Sequence, residues 1–281
     1  MRKRVLLIVG HNEKSQGCLC PHYENKNINT EWKYCKNLAE IIAKMTSNVK
    51  YDVFIRNKDS GGYKQEMKDV IDRAKKFEKE NGFKYDLALE IHLNSMPTDD
   101  PNGAETIYYK DNENGKKYSD LFKEVLNEKK QIKKRDGYAV LQPDDHNGAR
   151  GVCTSPWTYV LIEPFFTSNK NDAEKFETSA QIDELANLIM MSVDKFFKWK
   201  DEKDGVVTQN TDTQKDVKLD EDIEDMLKEF GEDSVKEYCL MNAFRCLSDC
   251  KNKKMMTENI NKVQIHLNTI IELEKRMKGD R

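Results

Sequence analysis

The sequence predicts an α/β fold: a twisted, mostly parallel (mixed) sheet flanked by helices, followed by a small all-α C-terminal region. Three observations predict it. Over the first two hundred residues, short apolar runs alternate with longer amphipathic ones, the pattern of successive strand–helix units. From Asp201 to Lys218 the apolar residues nearly vanish. Beyond that gap only helical periodicity remains. At 281 residues, 37% of them hydrophobic, the chain is long enough for one large core and a smaller unit.

Val5–Val9 reads as the first strand. The preceding Met1-Arg2-Lys3-Arg4 imitates the start of a signal peptide, but the apolar run is too short for an h-region. It ends at Gly10-His11-Asn12-Glu13-Lys14 without a small-residue cleavage site, so no signal peptide is expected. Asn29-Thr30-Glu31 opens a helix, with Trp32, Cys35, Leu38, Ile41-Ile42 and Met45 at helical spacing. Tyr51–Ile55 is the next strand. A helix from about Lys64 to Lys79 follows, its buried stripe formed by Met67, Val70-Ile71, Ala74 and Phe77.

Tyr85–Ile91, Glu105–Tyr109, Tyr138–Leu141 and Thr158–Ile162 complete the strands. Tyr118, Leu121-Phe122, Val125 and Leu126 mark a third helix; Ile182, Leu185, Leu188-Ile189, Val193 and Phe196-Phe197 mark a long fourth one. The expected organisation is a domain over 1–200, a polar linker over 201–218 and a helical domain over 219–281. Helices at Leu219–Phe230, Val235–Cys250 and Ile260–Met277 make up the last, and their apolar stripes suit targeting or homo-oligomerisation.

The 47 basic and 50 acidic residues leave a net charge of -3, so no global field favours nucleic acid or an anionic membrane. No stretch approaches the roughly 18 to 20 apolar residues needed to cross a bilayer. Seven cysteines at positions 18, 20, 35, 153, 239, 246 and 250 form no regular disulfide framework, and reduced thiols are expected. Cys18-Leu19-Cys20-Pro21-His22 is dense enough in ligands for zinc, yet no second pair follows at finger spacing; a loop beside the main site is the better reading. The absence of P-loop, GxGxxG and Gly-x-Ser-x-Gly elements removes the commonest nucleotide and serine-hydrolase readings.

The chemistry concentrates at three strand ends: Gly10-His11-Asn12, Glu90-Ile91-His92-Leu93-Asn94 and Leu161-Ile162-Glu163-Pro164. Open α/β sheets place their ligand crevice at such carboxyl ends. Two imidazoles and a carboxylate are the ligand set of a catalytic zinc with an open fourth position, and a further carboxylate serves as base. Glu90 should share a face with His92, where it either supports the imidazole or is a satisfied polar residue; Asn94 has the same two readings. His22, His146 and His266 read as surface residues, His146 within the turn Asp144-Asp145-His146-Asn147-Gly148 that borders the cleft.

Five blocks occur in one order: Val9-Gly10-His11, Thr30 to Ala39, Leu89 to Ser95, Gly103 to Tyr109 and Val160 to Asn169. Together they resemble the zinc-dependent N-acetylmuramoyl-L-alanine amidases of the Amidase_3 type, especially clostridial phage endolysins, over about residues 4 to 197. The resemblance implies zinc on His11, Glu31 and His92, with Glu163 as the catalytic carboxylate. Glu24 lies seven residues before Glu31 in the same loop and is the alternative ligand; Glu31 is preferred because it opens the helix carrying the family-like Asn37-Leu38-Ala39. The implied substrate is bacterial peptidoglycan, cleaved between N-acetylmuramic acid and L-alanine. The implied location is the host cytoplasm before release to the wall, with no membrane insertion.

One departure is visible: Asn12 to Cys18 replaces the Gly-rich Asp-Pro-Gly segment that follows the first His in many relatives. Two other functions compete. A zinc carboxypeptidase or other peptidase would need an Arg for a substrate carboxylate, for which Arg56, Arg73, Arg135 and Arg150 are candidates. A non-catalytic wall-binding protein would have no use for Glu163.

Overall fold

A computed structural model describes residues 2–59 and 61–205, together with Val235, Lys236, Cys239, Thr269 and Ile270. The chain divides into two units, Met1–Val207 and Thr208–Arg281. Of the three helices expected after residue 218 only those five residues are described, all of them helical; the rest, and most of the linker, lie outside the described residues. The linker's first residues do not behave as one: the last helix of the first unit runs on through Lys203, and Asp201 pairs with Lys3 at 2.8 Å.

The first unit follows the order β1 (Lys3–Val9), α1 (Glu31–Lys44), β2 (Val49–Ile55), α2 (Tyr63–Asn81), β3 (Leu87–Ile91), β4 (Glu105–Tyr109), α3 (Glu113–Lys130), β5 (Tyr138–Val140), α4 (Ala149–Thr154), β6 (Tyr159–Glu163), α5 (Lys170–Ala173) and α6 (Ser179–Lys203). The short helices α4 and α5 carry too few turns for a readable stripe, and the sequence did not predict them.

The strands form one sheet in the order β2-β1-β3-β6-β4-β5. Every pairing is parallel except β4 with β6, which is antiparallel. That single reversal brings the start of β4 beside the end of β6, with Glu105 opposite Glu163.

Alternation along the strands sends Val5, Leu7, Val9, Leu89, Ile91 and Ile162 into a core under α1, α3 and α6. Leu6, Ile8, Ala88, Ile107 and Leu161 face a smaller core beneath α2 and α4. Both faces being covered explains why β1 and β3 are almost wholly apolar. Glu90, Glu105 and Glu163 have the parity of the second face. There the helical cover is thin, and the first turns of α2 and α4 stand at the rim of a cleft.

Helix boundaries follow local chemistry. Thr30 caps α1 by accepting from the Lys33 N–H, and Asn112 does the same for α3 through Gly115. At α6, Thr178 and Gln181 form a reciprocal capping box, while its buried stripe runs from Ile182 to Phe197.

Candidate active site

The chain turns sharply after β1 to present His11. Gly10 donates to the Ile91 carbonyl at 2.9 Å, and a Cβ there would lie 2.5 Å from that oxygen and 2.8 Å from the His92 ring. His11 itself adopts φ 62, a left-handed conformation that non-glycine residues seldom take. Arg56, buried beneath it, holds its carbonyl with a hydrogen bond of 3.1 Å.

The loop after Asn12 doubles back on the start of α1, and this fold-back selects Glu31. Glu31 N–H donates to Cys18 O, Trp32 N–H to Gln16 O and Cys20 N–H to Asn29 O, all near 3.0 Å. Cys18 N–H returns a bond to Glu31 Oε2 at 3.1 Å. Glu24 stays exposed. Gly17, at φ 72, passes so close that an added Cβ would stand 2.3 Å from Glu31 Oε2 and 2.7 Å from His11 Nε2. Only glycine fits there.

The Glu31 carboxylate therefore lies between two imidazoles, with His11 Nε2 at 3.1 Å from Oε2 and His92 Nδ1 at 2.8 Å from Oε1. One donor atom from each of His11, Glu31 and His92 lies within 4.8 Å of the others. The other His92 nitrogen, Nε2, meets Glu90 Oε1 at 3.1 Å. Glu90 is fully buried, receives the Tyr159 hydroxyl at 2.8 Å, and has Arg56 Nη1 3.6 Å away. This bond turns Nδ1 toward Glu31, which is the arrangement that orients a ligand imidazole.

Burial opposes ionisation of Glu31, but hydrogen bonds from His11 and His92 outweigh it and hold the carboxyl well below the usual range. Burial likewise disfavours a charged His92; its bonds to Glu31 and Glu90 prevail and raise its pKa to about 10. The cluster thus concentrates carboxylate charge around His92, whose imidazole holds its proton in the absence of a cation. Two nitrogens, one carboxylate and a cradle closed by glycine fit a divalent metal of the zinc type.

Glu163 ends β6 on the wall of the same cleft, a space of about 610 Å³ that also receives His11, Glu31 and His92. Burial raises its pKa to about 7; His92 opposes the shift, while Glu31, Glu105 and Glu90 reinforce it. One oxygen accepts from Asn94 Nδ2 at 2.9 Å.

The remaining candidates separate clearly. Cys18 lines the cleft and lies 3.4 Å from the Thr167 hydroxyl, but neither it nor Cys20 joins a metal-ligand cluster among the described residues. His22 Nε2 is 3.0 Å from Ser168 O, and the His146 ring lies tilted against Tyr138 with ring centroids 4.2 Å apart. His266 lies outside the described residues. All four arginines are paired within the chain: Arg56 with Glu66 and Glu90, Arg73 with Asp69, Arg135 with Glu105 and Arg150 with Asp144. Gly17 and Glu105 were not singled out from sequence. A Cβ-free approach or a cross-strand register leaves no local signal.

This fold and site define an α/β protein with a three-donor cluster, of a kind that could hold a metal ion, at the carboxyl ends of its strands. Residues 5–195 match the N-acetylmuramoyl-L-alanine amidase family, Amidase_3, and the chain belongs to it. It is a peptidoglycan amidase. Among solved structures it is similar to the catalytic domain of the CD27L endolysin targeting Clostridia difficile: 25% identity, 69% of this chain, 97% of that one, TM-score 0.53. The CwlD amidase from Clostridioides difficile, solved with the GerS lipoprotein, matches at 18% identity over 70% of this chain and 99% of its own, TM-score 0.55. The catalytic domain of CwlV from Bacillus (Paenibacillus) polymyxa matches at 17% identity over 70% and 98%, TM-score 0.52. No significant match was found among curated proteins.

Proposed function

We propose that the chain is a zinc-dependent amidase acting as a phage endolysin, in which His11, Glu31 and His92 hold the metal and Glu163 is the catalytic carboxylate. The observation that carries this reading is the presence, in one cleft, of a three-donor cluster and a separate carboxylate with raised proton affinity. The scissile amide is neutral and resonance-stabilised, so its hydrolysis needs an activated nucleophile and stabilisation of a developing oxyanion. Zinc, when bound, supplies Lewis acidity for both purposes.

The chain's own groups supply the rest. Glu163 takes the proton from the attacking water and passes it to the leaving alanine nitrogen; a carboxyl group titrating near neutrality can do both. Asn94 orients it. Glu90 keeps His92 Nδ1 directed at Glu31. Pairing of all four candidate arginines argues against a carboxypeptidase, which needs a free cation for the substrate's terminal carboxylate.

Likeness at 25% identity to an endolysin catalytic domain supports a lysin role. No helix among the described residues is long and apolar enough to cross a membrane. For the unit after Val207 the proposal is targeting to the wall or self-association.

The test is Glu163→Gln in the full chain. Zinc content should stay at wild-type level while cleavage of a soluble muropeptide falls by about 10²- to 10⁴-fold. Near-wild-type turnover would remove Glu163 from this role.

A further inference from the structure

Behind Glu163 lies a second buried carboxylate that the reaction as described does not use. Glu105 begins β4 directly opposite Glu163 in the antiparallel ladder, and is itself buried. Two like charges in facing positions repel, so something must hold them there. What holds them is one side chain. Asn94 donates through Nδ2 to Glu163 at 2.9 Å and through the same nitrogen, more closely, to Glu105.

The orientation of that amide is fixed independently, because Asn94 Oδ1 accepts from the Ser95 N–H at 2.9 Å. Both amide protons are therefore left for the two carboxylates. On its far side, Glu105 accepts from Arg135 Nε at 2.7 Å, and the guanidinium lies over the Phe166 ring, 5.0 Å from its centroid. Phe166 in turn is anchored to the same loop by its bridge to Asn94. The chain of contacts runs Arg135, Glu105, Asn94, Glu163, and only its last two members line the cleft beside the His11, Glu31 and His92 cluster.

We propose that Glu105 is a positioning residue: by accepting one proton of the Asn94 amide and being neutralised by Arg135, it aims the other proton at Glu163 and fixes that carboxylate toward the reacting amide. The inference rests on the amidase reading above and extends it to Glu105 and Arg135, which do not line the cleft. Glu105→Gln keeps a carbonyl acceptor for Asn94, whereas Glu105→Ala and Asn94→Ala break the chain of contacts.

The experiment measures kcat and KM of these three full-length variants on a soluble muropeptide, with zinc content and thermal melting as controls. A displacement of about 1 Å in a catalytic group can cost about 10²-fold in rate. Glu105→Ala and Asn94→Ala should accordingly lose kcat by about 10²-fold with KM and zinc unchanged, while Glu105→Gln stays close to wild type. Wild-type kcat in Glu105→Ala, or a Glu105→Gln variant as damaged as Glu105→Ala, overturns the proposal. A second measurement needs no activity: the Asn94 side-chain NH₂ resonances, identified by their loss in Asn94→Ala, should be protected from exchange in wild type and Glu105→Gln and unprotected in Glu105→Ala. Equal protection in all three also overturns it. An inactive wild type with the predicted protection pattern would count against the amidase reading alone.

Discussion

Glu90 and His92 stand two residues apart with their side chains in contact, the carboxylate meeting the imidazole Nε2 at 3.1 Å beneath the cluster of His11, Glu31 and His92. Strand parity brings them to one face, and Tyr159 and Arg56 complete the burial of Glu90. The contact fixes which nitrogen of His92 faces Glu31. Glu90→Gln should weaken zinc affinity by about 10- to 100-fold, read by competition with a chelator. Unchanged affinity would reduce Glu90 to a satisfied buried polar residue.

Glu31 and Glu24 can be distinguished directly. Glu31 is buried between both imidazoles, and Glu24 is exposed. Glu31→Ala should lose zinc and activity together, and Glu24→Ala should lose neither, by elemental analysis of the purified variants.

Gly17 should tolerate no side chain. Its positive φ alone makes Ala unfavourable, by more than about 1 kcal/mol, and the added Cβ would strike Glu31 and His11. Gly17→Ala should therefore lower both melting temperature and zinc content. By contrast Gly82→Ala, equally positive in φ but with open space around it, should cost stability alone.

The reading of Glu163 has a sign in pH. Its carboxyl titrates at about 7 chiefly because it is buried, and it acts as a base only when ionised. Activity should rise with pH through the Glu163 pKa and level off above it. A cation held by the three ligands adds positive charge nearby, so the limb of the zinc-loaded enzyme should fall at or below about 7. The check is kcat/KM against pH. A rate that climbs as pH falls would contradict the assignment.

Much of this was legible beforehand for physical reasons. Apolar runs that end in His11, His92 and Glu163 could be read because strands buried on both faces are near-continuously hydrophobic, and their carboxyl ends are where such sheets bind ligands. Glu31 was harder. It approaches His11 through the hydrogen bonds of Cys18 and Gln16 in an irregular loop, which no periodicity encodes. Glu105 was invisible as a functional residue, since its relation to Glu163 exists only in the register of two strands more than fifty positions apart. Likewise α6 passes the predicted boundary at Lys200, because Asp201 and Lys203 find Lys3 and Glu113 as partners.

That last point sets where a truncation should be made. The first unit extends to Val207 and includes these pairs, so a fragment ending there should fold and retain zinc, read by melting and metal content. If the second unit tethers the enzyme, the fragment should match the full chain on soluble muropeptides and fall behind it on intact walls.

The most direct test of the central claim is mass spectrometry of peptidoglycan fragments digested by the zinc-loaded protein. The account predicts separation of the glycan from intact stem peptides that begin with a new L-alanine amino terminus, and loss of that product in Glu163→Gln. Release of a carboxyl-terminal amino acid from stem peptides still attached to the sugar, or the same products from Glu163→Gln at the same rate, would contradict it.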